Sequence, residues 1–301
     1  LKLALLKTSD PILVFGGSGF TGVHLLNHLR RLGTPILSPS RQEFDLVKAS
    51  KDEILVYLSK TKPSIVVNLA GLSHVQGSDI EDYYSVNAFA VLKFLEVARN
   101  VNSIKRVILA STANLYGNTH GAAKENDPSA INPLNHYGLS KLLLEKMVGL
   151  NEGYPFETCF TRPFSCIGVG QKKSFLVPKI VSHFLNREME LELGNTHVRR
   201  DFVDIRDAAL TYASMILHEK PLPKVVNICS NLTYSIQDLI EMIARITKHQ
   251  LSVRSKADFV RSNDITFQQG DNHRLAFELG IKFKYSIEET LQWMCENEES
   301  K

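Results

Sequence analysis

Seven residues, GGSGFTG at 16 to 22, stand between the apolar run ILVF and the amphipathic stretch FTGVHLLNHLRRL. Gly16, Gly19 and Gly22 let the chain turn sharply out of a strand, open the head of the next helix to an anion, and let that helix pack tightly on the turn. The opening therefore commits the chain to a strand, turn and helix, and the next segments repeat that unit. TPILS reads as strand, KDEILVYLSK as helix, SIVVNLA as strand and DYYSVNAFAVLKFLEVARN as one long helix; the strand IKRVILAS, a loop, the helix holding Tyr137 and the strand FETCFT come next. Runs such as ILVF and IVVNL, apolar at nearly every position, suit strands buried on both faces of a parallel sheet. The expected fold is α/β, a Rossmann-type doubly wound parallel sheet with a smaller C-terminal α/β lobe.

The first unit is read as residues 1–161, a dinucleotide-binding domain, and the second as mainly 162–301, a substrate lobe. About 203–230 is expected to return to the first sheet through NICS. Helices SIQDLIEMIARI and SIEETLQWM of the second unit carry S-x-x-D and S-x-x-E capping signals.

Bulk properties exclude several classes. A net charge of +3 without a basic tract gives no footprint for nucleic acid or an anionic membrane, so neither is an expected partner. No uncharged apolar run reaches the ~18 residues of a spanning helix, and LKLALLKTSD is too short to read as a leader. Cys159, Cys166, Cys229 and Cys295 form no C-x-x-C pair and suit a reducing compartment. The expected location is cytoplasmic. His24 and His28 are spaced for one helix face, but no third ligand accompanies them, so no metal is expected.

Within the glycine loop, Ser18, Phe20 and Thr21 join Gly16, Gly19 and Gly22 as cofactor contacts. A dinucleotide site also reads the adenosine ribose after the second strand, where an acidic residue favours NAD. Here the sequence is LSPSRQEFDL, and Arg41 precedes any carboxylate. Its planar fork suits a 2′-phosphate, which favours NADP over NAD, with NAD possible through Glu43 or Asp45. Asp45, with Leu46 beside it, is assigned to the adenine. Leu69, Ala70 and Gly71, after the third strand, are expected to run along the cofactor.

Ser111 and Thr112 end the next strand in LASTANLYG, and ligands of parallel α/β sheets collect at such carboxyl ends. Tyr137 and Lys141 come after them, four residues apart and so on one helical face. A phenol titrates near 10 when unperturbed, and a neighbouring cation is expected to lower that value and make Tyr137 a proton shuttle. Lys141 also reaches a ribose hydroxyl, Thr112 holds the substrate oxygen, and Ser111 and Pro163 complete the cofactor contacts. Catalysis is thus assigned to Thr112, Tyr137 and Lys141.

GGSGFTG, STANLYG and YGLSK together resemble the extended short-chain dehydrogenase/reductase family, and the likeness spans nearly the whole chain. TRPFSCIGVGQ, GNTHVRRDFVDIRDAA and VRSNDITFQQGDNHRLAFELG resemble stretches of its nucleotide-sugar enzymes, above all GDP-mannose 4,6-dehydratases and GDP-4-keto-6-deoxy-mannose reductases. The resemblance implies a nucleotide-diphosphate sugar as partner, GDP-linked, and a homodimer built on the helices around Tyr83 to Phe94. It implies that Arg200 and Arg261 meet the diphosphate, and that Ser73, Asn114, Ser165 and Lys179 line the substrate site. Two departures stand out. Dehydratases of the family carry glutamate where this chain has Asn114, which disfavours elimination of water, and Ser165 and Cys166 replace the Asn-His usual after RPF. The expected activity is NADP(H)-dependent reduction of a nucleotide-linked 4-keto-sugar of the GDP-4-keto-6-deoxyhexose or heptose type. The alternatives are a 4-epimerase with tightly held NAD and a non-catalytic NAD(P)-binding regulator.

Overall fold

The computed structural model describes residues 10–33, 35–73, 79–151, 153–256 and 264–297. Its main sheet is built from β1 (Ile12–Phe15), β2 (Ile36–Leu37), β3 (Ile65–Asn68), β4 (Arg106–Ala110), β6 (Glu157–Pro163) and β10 (Val225–Ile228). Between these come β5 (Ala122–Ala123), β7 (Ser165–Ile167), β8 (Glu190–Leu193) and β9 (Arg199–Asp204), and later β11 (Thr233–Ser235), β12 (Ser252–Ser255) and β13 (Phe267–Gly270). The six-stranded order is β10-β6-β4-β3-β1-β2, parallel throughout. Strand order reverses between β1 and β3, the switch point where ligands of open α/β sheets bind.

Helices α1 (Phe20–Arg31) and α7 (Ile205–Ile216) cover one face; α2 (Lys51–Thr61), α4 (Ala90–Ala98) and α5 (His136–Leu150) cover the other. Ile12 and Val14 pack with Leu25, Leu29 and Tyr212, whereas Leu13 and Phe15 pack with Ile54, Val91 and Leu95. Alternate residues of one strand thus fill two cores, which is why ILVF has no polar position. Helix α2 starts with a reciprocal Ser50–Glu53 capping box.

Residues 80 to 98 form one continuous helix, as expected, but it is not α-helical throughout. Short α3 (Ile80–Tyr84) passes into a π-helical turn at residues 85–89, with the Ala90 amide on the Ser85 carbonyl, before α4 begins. One extra residue in the turn rotates Asn87 inward, where it is fully buried.

The remaining elements, α6 (Leu176–Leu185), α8 (Ile236–Thr247) and α9 (Ile287–Asn297), enclose a third core with Leu191, Leu193 and Phe202. Ser235–Asp238 and Ser286–Glu289 cap α8 and α9 reciprocally. A second sheet, β11-β9-β13-β5, runs from this lobe to β5 of the first unit, and β7 also pairs with β9. Strand β6 continues through Pro163, and β10 pairs with it in the main sheet. Among the described residues no helix is long and apolar enough to cross a membrane.

Candidate active site

The carboxyl ends of β1, β3, β4 and β6 meet above the switch point, and four loops converge there. Gly16 has φ +79, and a Cβ on it would lie 2.5 Å from the Ala70 amide nitrogen. A Cβ at Gly22 would lie 2.2 Å from the Gly16 carbonyl oxygen and 2.6 Å from Gly17 Cα. Only glycine fits either place, so α1 is drawn down onto the turn and the Leu69–Gly71 segment against it. Gly19 caps α1 without a side-chain bond, while Ser18 and Gly19 are exposed at the helix head. Those amides and the helix dipole suit a pyrophosphate.

Arg41 and Asp45 form a pair, with Nε and Oδ2 3.0 Å apart and the arginine side chain 70% exposed. Glu43 turns back to the Ser40 amide at 2.7 Å. Asp45 also accepts from the Val47 amide, and Leu46 is half-buried beside it.

Asn87 organises the next layer. It donates to the Leu72 carbonyl and the Ser140 hydroxyl, both at 3.0 Å, and accepts from the Leu72 amide at 2.9 Å. Ser140 in turn donates to the Tyr137 carbonyl. Gly71 stands against Asn87 and Lys141, and Ser73 is exposed beyond it. In the sequence the only signal for Asn87 is a lone asparagine in the apolar run SVNAFAVL, which does not single it out.

Ser111 and Thr112 are buried at the end of β4. The Ser111 hydroxyl, sealed from solvent, has no hydrogen-bond partner among the described residues. A buried donor of that kind is costly unless a ligand engages it, and together with the glycine cradle it fits a dinucleotide lying along these strand ends. Thr112 Oγ1 accepts from the Asn114 backbone and side-chain nitrogens at 3.1 and 3.2 Å. With its lone pairs filled, its proton is free to point at the phenol of Tyr137, with which it shares a hydrogen bond. Helix α5 reaches this position because Asn135 caps it and because Gly138 lies on the Asn114 carbonyl, where a Cβ would come to 2.7 Å.

One expectation is corrected here. The Tyr137 phenol is not made more acidic: burial holds its pKa above 10, the Thr112 hydrogen bond opposes that only in part, and the nearby Cys166 thiol adds to the rise. Lys141 cannot reverse this, because burial also brings its own pKa down to about 8, against the pull of Glu145 one turn on. Its Nζ donates to the Ala110 carbonyl at 2.8 Å. Desolvation is the largest influence on both groups. Burial likewise pushes the Cys166 thiol up to about 12.

Beneath α5 lies a buried network that no sequence motif announces. Arg162 grips Glu145 with two nitrogens, at 3.1 and 2.6 Å, and donates to the Tyr116 hydroxyl at 2.6 Å. Tyr116 donates to Asn227, whose own amide meets Glu125. Pro163, Ser165 and Cys166 continue from β6 into β7, all half-buried.

Of the residues expected to meet substrate, Arg200 is held by Asp264 at 3.4 Å with its side chain 16% exposed. Lys179 Nζ donates to the Glu192 carbonyl, so its ammonium is directed at β8. Arg261 lies outside the described residues. Tyr137, Thr112, Ser111, Asn114 and Lys141 are thus brought together with the glycine loop, while Arg200 and Lys179 lie in the second lobe. His24 is used structurally, its Nε2 3.0 Å from the Val169 carbonyl.

Comparison with known proteins agrees with this layout. The NAD dependent epimerase/dehydratase family matches residues 12–229. GDP-6-deoxy-D-talose 4-dehydrogenase of Aggregatibacter actinomycetemcomitans is 32% identical, with 95% of this chain and 97% of the relative covered. GDP-6-deoxy-D-mannose reductase of Pseudomonas aeruginosa is 28% identical, covering 97% and 98%. The structure of RMD from Pseudomonas aeruginosa complexed with NADPH superposes with a TM-score of 0.83 at 27% identity, covering 96% of this chain and 98% of that one. The chain belongs to the NAD dependent epimerase/dehydratase family, within the extended short-chain dehydrogenases/reductases.

Proposed function

We propose that this NAD(P)-dependent oxidoreductase reduces the ketone of a GDP-linked 4-keto-6-deoxyhexose or a close heptose relative, with NADPH as the preferred donor. The observation that carries the reading is the pairing of Tyr137 with Thr112 beside an amide, Asn114, where elimination chemistry needs a carboxylate. The GDP-deoxysugar relatives support the substrate class.

A nicotinamide cofactor, when bound, would supply the hydride. Gly16, Ser18, Gly19, Phe20, Thr21 and Gly22 receive the pyrophosphate. Asp45 and Leu46 flank the adenine, and Leu69, Ala70, Gly71, Ser111, Lys141 and Pro163 line the nicotinamide half. Arg41 would hold a 2′-phosphate by exchanging Asp45 for it, an exchange that an exposed pair permits because such pairs contribute little. The sugar carbonyl oxygen takes the place between Tyr137 and Thr112 and accepts from both hydroxyls. A phenol kept protonated by burial is a donor across the neutral range, which suits reduction better than the base needed to begin an oxidation. Lys141, on the Ala110 carbonyl, supplies positive charge behind the phenol as its proton leaves. Arg200 and Arg261 bind the diphosphate, and Ser73, Asn114, Ser165 and Lys179 border the sugar nucleotide. Phe89, Leu139 and Leu150, large apolar side chains exposed along the α4–α5 side, are the surface a second copy covers in the homodimer.

The test is Tyr137→Phe, assayed with NADPH and GDP-4-keto-6-deoxymannose by loss of nicotinamide absorbance. Turnover is expected to fall by at least ~100-fold, the contribution of a positioned proton donor, with NADPH affinity unchanged. A wild-type protein inert toward keto-sugars linked to GDP, UDP, dTDP and CDP refutes the reading.

A further inference from the structure

Thr112 sits at the head of a 3₁₀ turn at residues 113–115, and the far side of that turn is held by a strand from the other lobe. Gln268 of β13 is 3% exposed. Its Nε2 donates both protons into the turn, to the Ala113 carbonyl at 3.0 Å and the Gly117 carbonyl at 3.1 Å. The two acceptors bracket Asn114, the residue whose two nitrogens fill the lone pairs of Thr112. Moving either carbonyl moves the amide that aims the threonine.

The same strand closes the clamp on both sides of Gln268. The Thr119 amide donates to the Phe267 carbonyl at 3.0 Å, and the Gln269 amide donates to the Thr119 hydroxyl at 3.0 Å. Asn118 accepts through one oxygen from the Thr266 amide and hydroxyl and from the Phe267 amide. On its other edge β13 pairs in parallel with β9, and there Gln268 is the register partner of Arg200. The residue assigned to the diphosphate and the residue that grips the turn therefore stand side by side on adjacent strands.

A primary amide is an unusual choice for a sealed strand position, where an apolar side chain is cheaper to bury. Its use here is explained by the two carbonyls it satisfies. We propose that Gln268 is a positioning residue, locking the 113–117 turn so that the Thr112 proton is aimed at the substrate oxygen, and tying that aim to the seating of the sugar nucleotide through β13. The inference rests on the reductase reading for its kinetic consequence, but the lock itself is a statement about the turn.

Gln268→Met keeps length and removes both donors. With NADPH and GDP-4-keto-6-deoxymannose, kcat is expected to fall about 10- to 100-fold, as for a misplacement of about an ångström, with KM changed less than about 3-fold and NADPH affinity unaltered. Placed on Thr112→Val, the same change is expected to cost less than about 3-fold, because the group it positions is already gone. Full additivity of the two losses overturns the proposal. Hydrogen–deuterium exchange on the same proteins needs no turnover: amides of Asn114, Tyr116 and Gly117 are expected to exchange at least ~10-fold faster in Gln268→Met, while residues 12–31 keep their protection. Unchanged exchange in the turn overturns the lock even if activity drops. If the wild type proves inert on the keto-sugar, the reductase reading fails and the exchange result still judges the lock. Should Gln268→Met not fold, Asn118→Ala loosens the clamp from its half-exposed end and is expected to act in the same direction, less strongly; its failure to do so counts against the proposal.

Discussion

The two halves of the site are held by opposite means. On the cofactor side, precision comes from side chains that are missing: at Gly16 and Gly22 backbone meets backbone at distances that no Cβ survives. Around the Tyr137 helix and the Thr112 turn it comes from polar side chains, Arg162 on Glu145, Tyr116 on Asn227 and Gln268 on Ala113, the last two bridging more than a hundred residues. The glycine turn is fixed by close backbone approach alone, Gly22 against the turn itself and Gly16 against Ala70 of the loop after β3. A buried side-chain network is fixed only when the whole fold has closed. The first is robust to what surrounds it and intolerant of any added atom; the second tolerates shape but not the loss of one partner.

Arg162→Met is the harshest way to break this contrast. Both members of the pair are nearly sealed, at 6% and 8% side-chain exposure, and the arginine also holds Tyr116. Removing one partner leaves Glu145 charged and buried, a loss of about 3–5 kcal/mol. The double variant Arg162→Met/Glu145→Leu is expected to regain most of that, since apolar replacement of a whole buried pair is often neutral. Urea unfolding of the three proteins measures it, and a single variant as stable as wild type would show that the substrate half does not depend on the network. Gly22→Ala attacks the other side. Its methyl meets backbone atoms that cannot rotate away, so destabilisation of about 1–3 kcal/mol is expected, with NADPH affinity lost because α1 lifts from the pyrophosphate turn. Undiminished NADPH binding by a folded Gly22→Ala would erase the distinction between the halves.

The same contrast explains what is legible in the chain alone. GGSGFTG, STANLYG and Y-G-L-S-K are each legible within a few adjacent residues; the strands ILVF and IVVN announce their double burial by composition. The π-helical turn at 85–89 is not legible, because the sequence DYYSVNAFAVL is as good an α-helix with or without the extra residue. What selects the turn is Asn87, whose three hydrogen bonds exist only once Leu72 and Ser140 are in place. Gln268 is hidden for the same reason, 155 residues from the carbonyl it grips. The acidity of Tyr137 escapes a reading by spacing, which puts Lys141 on the same helical face and says nothing of desolvation.

Lys141 stands at the seam, bonded to β4 of the cofactor half and one helical turn from Glu145 of the buried network. Burial brings its pKa down to about 8, whereas the Tyr137 phenol stays above 10. The sign comes from the charge that reduction needs. Below pH 8 the ammonium is present, Tyr137 carries its proton, and the rate is flat. Above it the ammonium is lost while the phenol remains protonated, so kcat/KM for keto reduction should fall about tenfold per pH unit, equivalent to ~1.4 kcal/mol at pH 9. Lys141→Arg keeps the charge at every accessible pH and is expected to lose this limb, whatever its rate at neutral pH. Arg162→Met exposes Lys141 to an uncompensated Glu145 and should move the limb upward. A limb unchanged in both variants would separate the lysine from the network and leave the two halves of the site electrostatically independent.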